Sequence, residues 1–159
     1  MSLLNIAESE LKGGKGAALP PRAYRFTVLQ AQIEQKENGK MYSARLGNLR
    51  TKEGATEFEY QGSNYRIGNR LVFARHWIEH TNPDAAKAGH GQIMKLAIAL
   101  GIVPVPEKGT VAELDFESWE AFAEATVGRE GIVLTKQRTR QDASGEQVVE
   151  ADVSTYVAP

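Results

Sequence analysis

Cysteine is absent from the 159 residues, so neither disulfides nor cysteine-ligated zinc can brace this chain, which fits a reducing compartment. Long apolar runs are also missing. No stretch approaches the roughly 18 residues that a membrane helix needs, and no membrane partner is expected. The opening Met1-Ser2-Leu3-Leu4-Asn5 lacks the basic-then-apolar layout of a secretory leader, making the cytoplasm the expected location. Net charge is almost nil, at −1, and taken alone this argues against a polyanionic partner. No Ser-His-Asp, G-x-S-x-G or dinucleotide-binding spacing occurs, and Lys12-Gly13-Gly14-Lys15-Gly16 lacks the G-x-x-x-x-G-K-[ST] spacing of a phosphate loop. With 42% hydrophobic and 25% charged residues, the chain has the composition and length of one soluble domain with its own core.

The charge that is present is segregated. Arg22 to Arg75 holds ten Lys/Arg against five Glu, and Gly128 to Arg140 holds four Lys/Arg against Glu130. The balancing acids lie in Val105 to Val127 and Gln141 to Pro159. Such a chain can show one basic face while staying near neutral overall. The competing reading is solvated strand edges, where basic residues discourage pairing with neighbours.

Residues Met1 to Leu19 read as a flexible arm ended by Pro20-Pro21, with the domain proper over residues 20–159. Ala23 to Gln35 is strand-like, with Tyr24, Phe26 and Val28 on one face and Leu29, Ala31 and Ile33 on the other. That switch of face predicts a bulge or a strongly coiled strand. Glu37-Asn38-Gly39-Lys40 predicts a tight hairpin with Asn-Gly at its centre, and Met41 to Leu49 is the returning strand. A short run around Phe58 and Tyr60 follows, then Tyr65 to Ile78, interrupted at Gly68-Asn69. Asn82-Pro83-Asp84 is a helix start, with a capping side chain, proline at the first position and an acid in the first turn. Ile93, Leu96, Ala97 and Leu100 form the apolar stripe, and Gly101 stops the helix. Gly89 and Gly91 suggest close backbone packing midway. A shorter helix is expected from Phe116 to Ala125, capped by Asp115. Strands Gly131 to Arg140 and Gln147 to Val157 flank a polar turn at Asp142-Ala143-Ser144-Gly145. The expectation is a mainly β, α+β chain built as an OB-fold-like five-stranded barrel, with a helix between its third and fourth strands.

The layout resembles a phage family, first catalogued only as a domain of unknown function, whose members are assigned as single-stranded DNA-binding proteins with an OB-like fold. The resemblance runs from Leu19 to Val157. It rests on Leu19-Pro20-Pro21-Arg22-Ala23-Tyr24-Arg25-Phe26, on Lys36-Glu37-Asn38-Gly39-Lys40, and on the block from His80-Thr81-Asn82-Pro83 to Leu96-Ala97-Ile98-Ala99-Leu100-Gly101-Ile102. Thr126-Val127-Gly128-Arg129-Glu130-Gly131, leading into a strand and a charged hairpin, completes it. The order and spacing of these blocks carry the weight. The chain departs from the family pattern in its N-terminal arm and in the Arg-rich stretch Arg66 to Arg75. It also ends in Thr155-Tyr156-Val157-Ala158-Pro159 rather than an acidic tip closed by an aromatic, so recruitment through such a tail is not expected. The resemblance implies sequence-independent binding of single-stranded DNA in phage replication or recombination, in the host cytoplasm, by a non-catalytic homo-oligomer (a dimer) that meets replication or recombination proteins. No cofactor is expected.

Binding an unpaired strand needs a cationic groove for phosphates and aromatic faces on which bases stack. Tyr42, Arg45, Arg50, Tyr60, Tyr65, Arg66, Arg70, Arg75 and Trp77 interleave both kinds of group, and Lys136, Arg138 and Arg140 alternate along one strand as a phosphate ladder. Tyr24, Phe26 and Phe73 are assigned to the core, as are Trp119 and Phe122. A shift of one residue in register would reverse every such assignment.

Two enzyme readings compete with binding. His76-Trp77-Ile78-Glu79-His80 matches the H-x-x-E-H zinc-peptidase pattern, which requires a helix. On a strand, residues i and i+4 lie roughly 13 Å apart, too far to share one metal. Glu113, Asp115, Glu117, Glu120 and Glu124 cluster as a metal nuclease would need, but a capped amphipathic helix explains them as its solvated face. His90 is read as solvated. The alternative function is a structural or assembly protein of a phage particle that uses the same barrel for protein contacts.

Overall fold

The computed structural model describes residues 18–159; the arm expected over residues 1–17 lies outside them. Leu19, assigned above to that arm, is buried in the core.

The bulged strand foreseen from the face switch is β1 (Ala23–Lys36), whose pairing slips between Arg25 and Thr27 and again between Val28 and Gln30. The first slip puts its extra residue in β2 and leaves the alternation of β1 intact; only the second, after Val28, moves the inward-facing set of β1 by one position. Tyr24, Phe26 and Val28 point into the core, Leu29 is exposed, and beyond the slip Ala31 and Ile33 pack against the core's edge. A two-residue turn, Glu37-Asn38, joins β1 to β2 (Gly39–Thr51), because Lys36 already pairs with Gly39. The turn sits one residue earlier than the sequence suggested, and Gly39 serves a different purpose there. A Cβ at Gly39 would stand 1.9 Å from the Glu79 carbonyl oxygen, so only glycine lets β5 approach.

β3 (Glu57–Tyr60) and β4 (Ser63–Arg66) form a separate two-stranded hairpin. Its turn places Gln61 and Gly62 both at positive φ, the mirror-type turn that suits the twist of antiparallel strands. β5 (Val72–His80) alternates buried and exposed residues, with Val72, Ala74, His76 and Ile78 inward. The run read from Tyr65 onward is thus two elements, broken where the Arg70 backbone N–H donates to the Ile67 carbonyl across Gly68-Asn69.

Helix α1 (Pro83–Ala99) begins as its sequence dictates: the Asn82 side chain accepts from the Asp84 N–H at 2.9 Å. Gly89 is where it meets β5, since a Cβ there would stand 2.0 Å from the Trp77 carbonyl oxygen, whereas Gly91 faces open space. Helix α2 (Trp119–Thr126) starts later than expected. Its cap is Ser118, which accepts from the Ala121 N–H, rather than Asp115. Glu113, Asp115 and Glu117 accordingly lie in the irregular segment before the helix. β6 (Glu130–Gln141) and β7 (Gln147–Val157) close the chain as a hairpin.

The protein is mainly β with two helices, an α+β arrangement. Five strands form one antiparallel sheet in the order β5-β2-β1-β6-β7. The sheet does not close by backbone pairing. Its two edges, β5 and β7, are instead bridged on the inner side by His76 Nε2 and the Tyr156 hydroxyl, 2.6 Å apart. The core lies between the sheet's inner face and the helices and is dominated by Tyr24, Tyr42, Phe26 and Phe122. Among the described residues, no helix is long and apolar enough to cross a membrane.

Candidate nucleic-acid interface

Pleating sends alternate residues of β1, β2 and β5 to the outer face, and strand register aligns them into three rows. Gln30, Arg45 and Phe73 form the first row, Gln32, Ser43 and Arg75 the second, and Glu34, Met41 and Trp77 the third, in which Met41 is itself buried. The β5 column thus reads Phe-Arg-Trp, the β2 column Arg-Ser-Met, and the β1 column Gln-Gln-Glu. Phe73 is 42% exposed, and the Arg75 guanidinium lies 5.3 Å from the centre of its ring. Trp77 is half-buried and packs edge-on against His80. Two depressions open on this surface. One runs between β1 and β5 over Ser43; the other extends from Phe73, Arg75 and Trp77 to Arg138, Glu150 and Asp152 on the last hairpin.

Three of the residues expected to bind nucleic acid, Arg45, Arg75 and Trp77, meet on this face, and Arg138 stands at its rim. The others do not join them. Tyr42 is a correction: it is 0% exposed, and its hydroxyl lies 2.8 Å from Thr126 Oγ1. Its neighbours of equal parity, Ala44 and Leu46, are core residues, so its ring cannot meet a base. Burial pushes its hydroxyl pKa up to about 12. Phe73 is the converse correction, for it was assigned to the core. Parity with Arg75 and Trp77 is the sequence signal that would have placed it outside.

Arg50 lies toward the far end of β2 and is paired with Glu130 at 3.1 Å. Tyr60, Tyr65 and Arg66 belong to the β3–β4 hairpin. There Tyr65 stacks on Phe58, Tyr60 packs edge-on against Tyr65, and Arg66 lies 3.7 Å from Glu57. Phe58 also packs near Tyr24 and under the Arg22 guanidinium, which ties the hairpin to the end of the sheet away from the β1–β2 turn. Arg70 is half-buried, and its charge acts on the Tyr24 hydroxyl.

Lys136, Arg138 and Arg140 do share one exposed side of β6, as their alternation predicts. Their surroundings differ from the expectation. β7 sets Asp152 opposite Lys136 and Glu150 opposite Arg138. Glu150 lies 3.6 Å from Arg138 and 3.0 Å from Arg140, and Asp152 lies 3.8 Å from Arg138. The ladder is therefore largely offset by carboxylates before any ligand arrives.

The histidines have structural partners. His76 stacks parallel to Tyr42 and bonds Tyr156; burial holds its imidazole down at about 4, opposed by the Asp152 charge. His80 Nδ1 accepts from the Asn82 N–H, and His90 Nε2 donates to the Ile78 carbonyl, fastening α1 to β5. The H-x-x-E-H segment lies on a strand, and among the described residues no group of three or more His, Asp or Glu is placed to hold a metal ion.

Sequence reasoning missed the β1 column. Gln30, Gln32 and Glu34 alternate in the sequence, but only the slip after Val28 turns them outward beside Arg45 and Ser43. Lys36 Nζ lies 2.7 Å from the Glu34 carboxylate, and Gln32 Nε2 donates to it at 3.1 Å. The Lys36 ammonium and the Gln32 amide bonded to it hold the Glu34 carboxyl down at about 2. Compared with known proteins, the chain matches no family model and no curated relative.

Proposed function

We propose that this protein binds single-stranded DNA without catalysis, on the outer face of β2 and β5, in the manner expected of the phage family it resembles. The observation that carries the reading is the convergence of Phe73, Arg75 and Trp77 along β5 with Arg45 beside them. Rings supply stacking surfaces and guanidinium groups supply phosphate contacts, the two requirements of sequence-tolerant binding to an unpaired strand. Neither Arg45 nor Arg75 makes an ion pair among the described residues.

An OB-like, partly open barrel is the arrangement that best accounts for the strand order. In that plan the second and third strands, with the loops after the first and fourth, hold oligonucleotides. The corresponding parts here are β2, β5, the β1–β2 turn and the β6–β7 hairpin, and the depressions lie among them. A second reading, a particle-assembly protein, draws on a different feature. Leu29 and Leu71 both lie over Gly47 and are 44% and 39% exposed, an apolar strip suited to protein contact.

Titrating a fluorescent oligo-dT at low and high salt separates the two. Binding that weakens steeply as salt rises, with slope near −0.7 per phosphate engaged, supports single-strand binding. No binding at low salt overturns it and leaves assembly.

A further inference from the structure

The β1 column differs in kind from the rest of the proposed interface. Gln30, Gln32 and Glu34 carry hydrogen-bonding groups, no positive charge and no ring, yet they border the depression lined by Arg45, Phe73 and Arg75. Glu34 is already paired with Lys36, so this column offers phosphate no free cation, and a strand lying on this face runs its backbone along the arginines and turns its bases toward β1. Two strand spacings, about 10 Å, separate the β1 and β5 columns. Met41 is largely buried between Trp77 and Glu34, so a base stacked on Trp77 turns its polar edge across it toward Glu34.

We infer that Glu34 is a specificity-determining residue that favours cytosine over thymine at the Met41–Trp77 row, with Gln32 positioning its carboxylate. The inference rests on the single-strand reading above. The two pyrimidines differ in the atom they present at ring position 4. Cytosine offers an amino group, which donates to a carboxylate, whereas thymine offers a carbonyl oxygen, which a carboxylate repels. Lys36 and Gln32 already bond the Glu34 side chain, which fixes its direction, yet 28% of it stays exposed to receive a further donor. Its low pKa keeps it ionised, and acceptor-only, at any pH where DNA binding is measured.

Equal-length fluorescent oligo-dC and oligo-dT, titrated at pH 7.5 into the wild-type chain and Glu34→Gln, test the inference. Differences inherent to the two homopolymers affect both proteins alike and cancel in the comparison. Wild type should bind oligo-dC roughly five- to tenfold more tightly than oligo-dT. In Glu34→Gln that ratio should fall to within twofold of one, because an amide can donate to thymine as well as accept from cytosine. An oligo-dC to oligo-dT ratio that is the same in both proteins overturns the inference and leaves single-strand binding standing. Failure of both oligonucleotides to bind at low salt overturns the two together.

Discussion

Both β5 and β6 carry cations among exposed side chains, and their companions make them unlike. On β5 and its neighbour β2, Arg75 and Arg45 are flanked by Phe73, Trp77, Met41 and Ser43. On β6, Lys136, Arg138 and Arg140 face Glu150 and Asp152 across the hairpin. A phosphate approaching the first pair meets available charge. One approaching the second must displace a carboxylate, at a cost of about 0–1 kcal/mol for each exposed pair. Cations matter to a polyanion by what their neighbours leave unneutralised, and a run of alternating Lys and Arg does not reveal that.

The sharpest test of the contrast is the aromatic pair, which β6 has no equivalent of. Replacing Phe73 and Trp77 together by Ala should cost on the order of 100-fold in oligo-dT affinity, at about 1–3 kcal/mol per stacked base. Folding should survive, since Phe73 is exposed and Trp77 half-buried; circular dichroism checks this. A folded double variant that binds like wild type would show that bases do not use this face.

A smaller effect, but a direct one on the comparison, comes from the cations themselves. Arg45→Ala with Arg75→Ala should weaken binding roughly tenfold at low salt and reduce the slope of log affinity against log salt by about 1.4, at 0.7 per phosphate released. Lys136→Ala, Arg138→Ala and Arg140→Ala combined should cost only about threefold, while Glu150→Gln with Asp152→Asn should strengthen binding. If the three β6 changes cost more than the two on β2 and β5, the contrast is reversed.

The least effect on binding is expected at His76, on the inner side of the same strand. Its imidazole pKa is depressed to about 4 in the folded chain against 6.5 in the unfolded one. Between those values the unfolded state binds more protons, so stability is full above about pH 6.5 and falls as pH drops toward 4. Urea midpoints measured from pH 7 to 4.5 should decline in wild type. His76→Gln should be less stable at pH 7 yet show a flatter decline, with oligo-dT affinity at pH 7.5 unchanged within twofold. An equally steep decline in the variant would assign the pH dependence elsewhere.

These contrasts also mark how far the amino-acid order could be read. Local chemistry was legible. Asn82-Pro83-Asp84 started α1, the face switch in Ala23–Gln35 became the slip of β1 after Val28, and Gly89 proved a point of contact with β5. What misled were decisions of parity. Tyr42 and Phe73 exchanged the roles assigned to them, and the first turn and the second helix each began at a different residue. A strand has a period of two, so one residue of offset sends a side chain to the opposite face. Phe73 shares its parity with Arg75 and Tyr42 with Leu46, which a stricter count along each strand would have used.

The sequence by itself determined where turns, caps and alternating segments fall, because these depend on residues within a few positions of each other. Only the tertiary structure decided which side of each strand faces the core, that Gln30, Gln32 and Glu34 stand beside Arg45 and Arg75, and that β7 carboxylates neutralise the β6 ladder. Those outcomes follow from register between strands far apart in the chain. Register is set by the summed burial of many side chains at once, a quantity that no local segment contains.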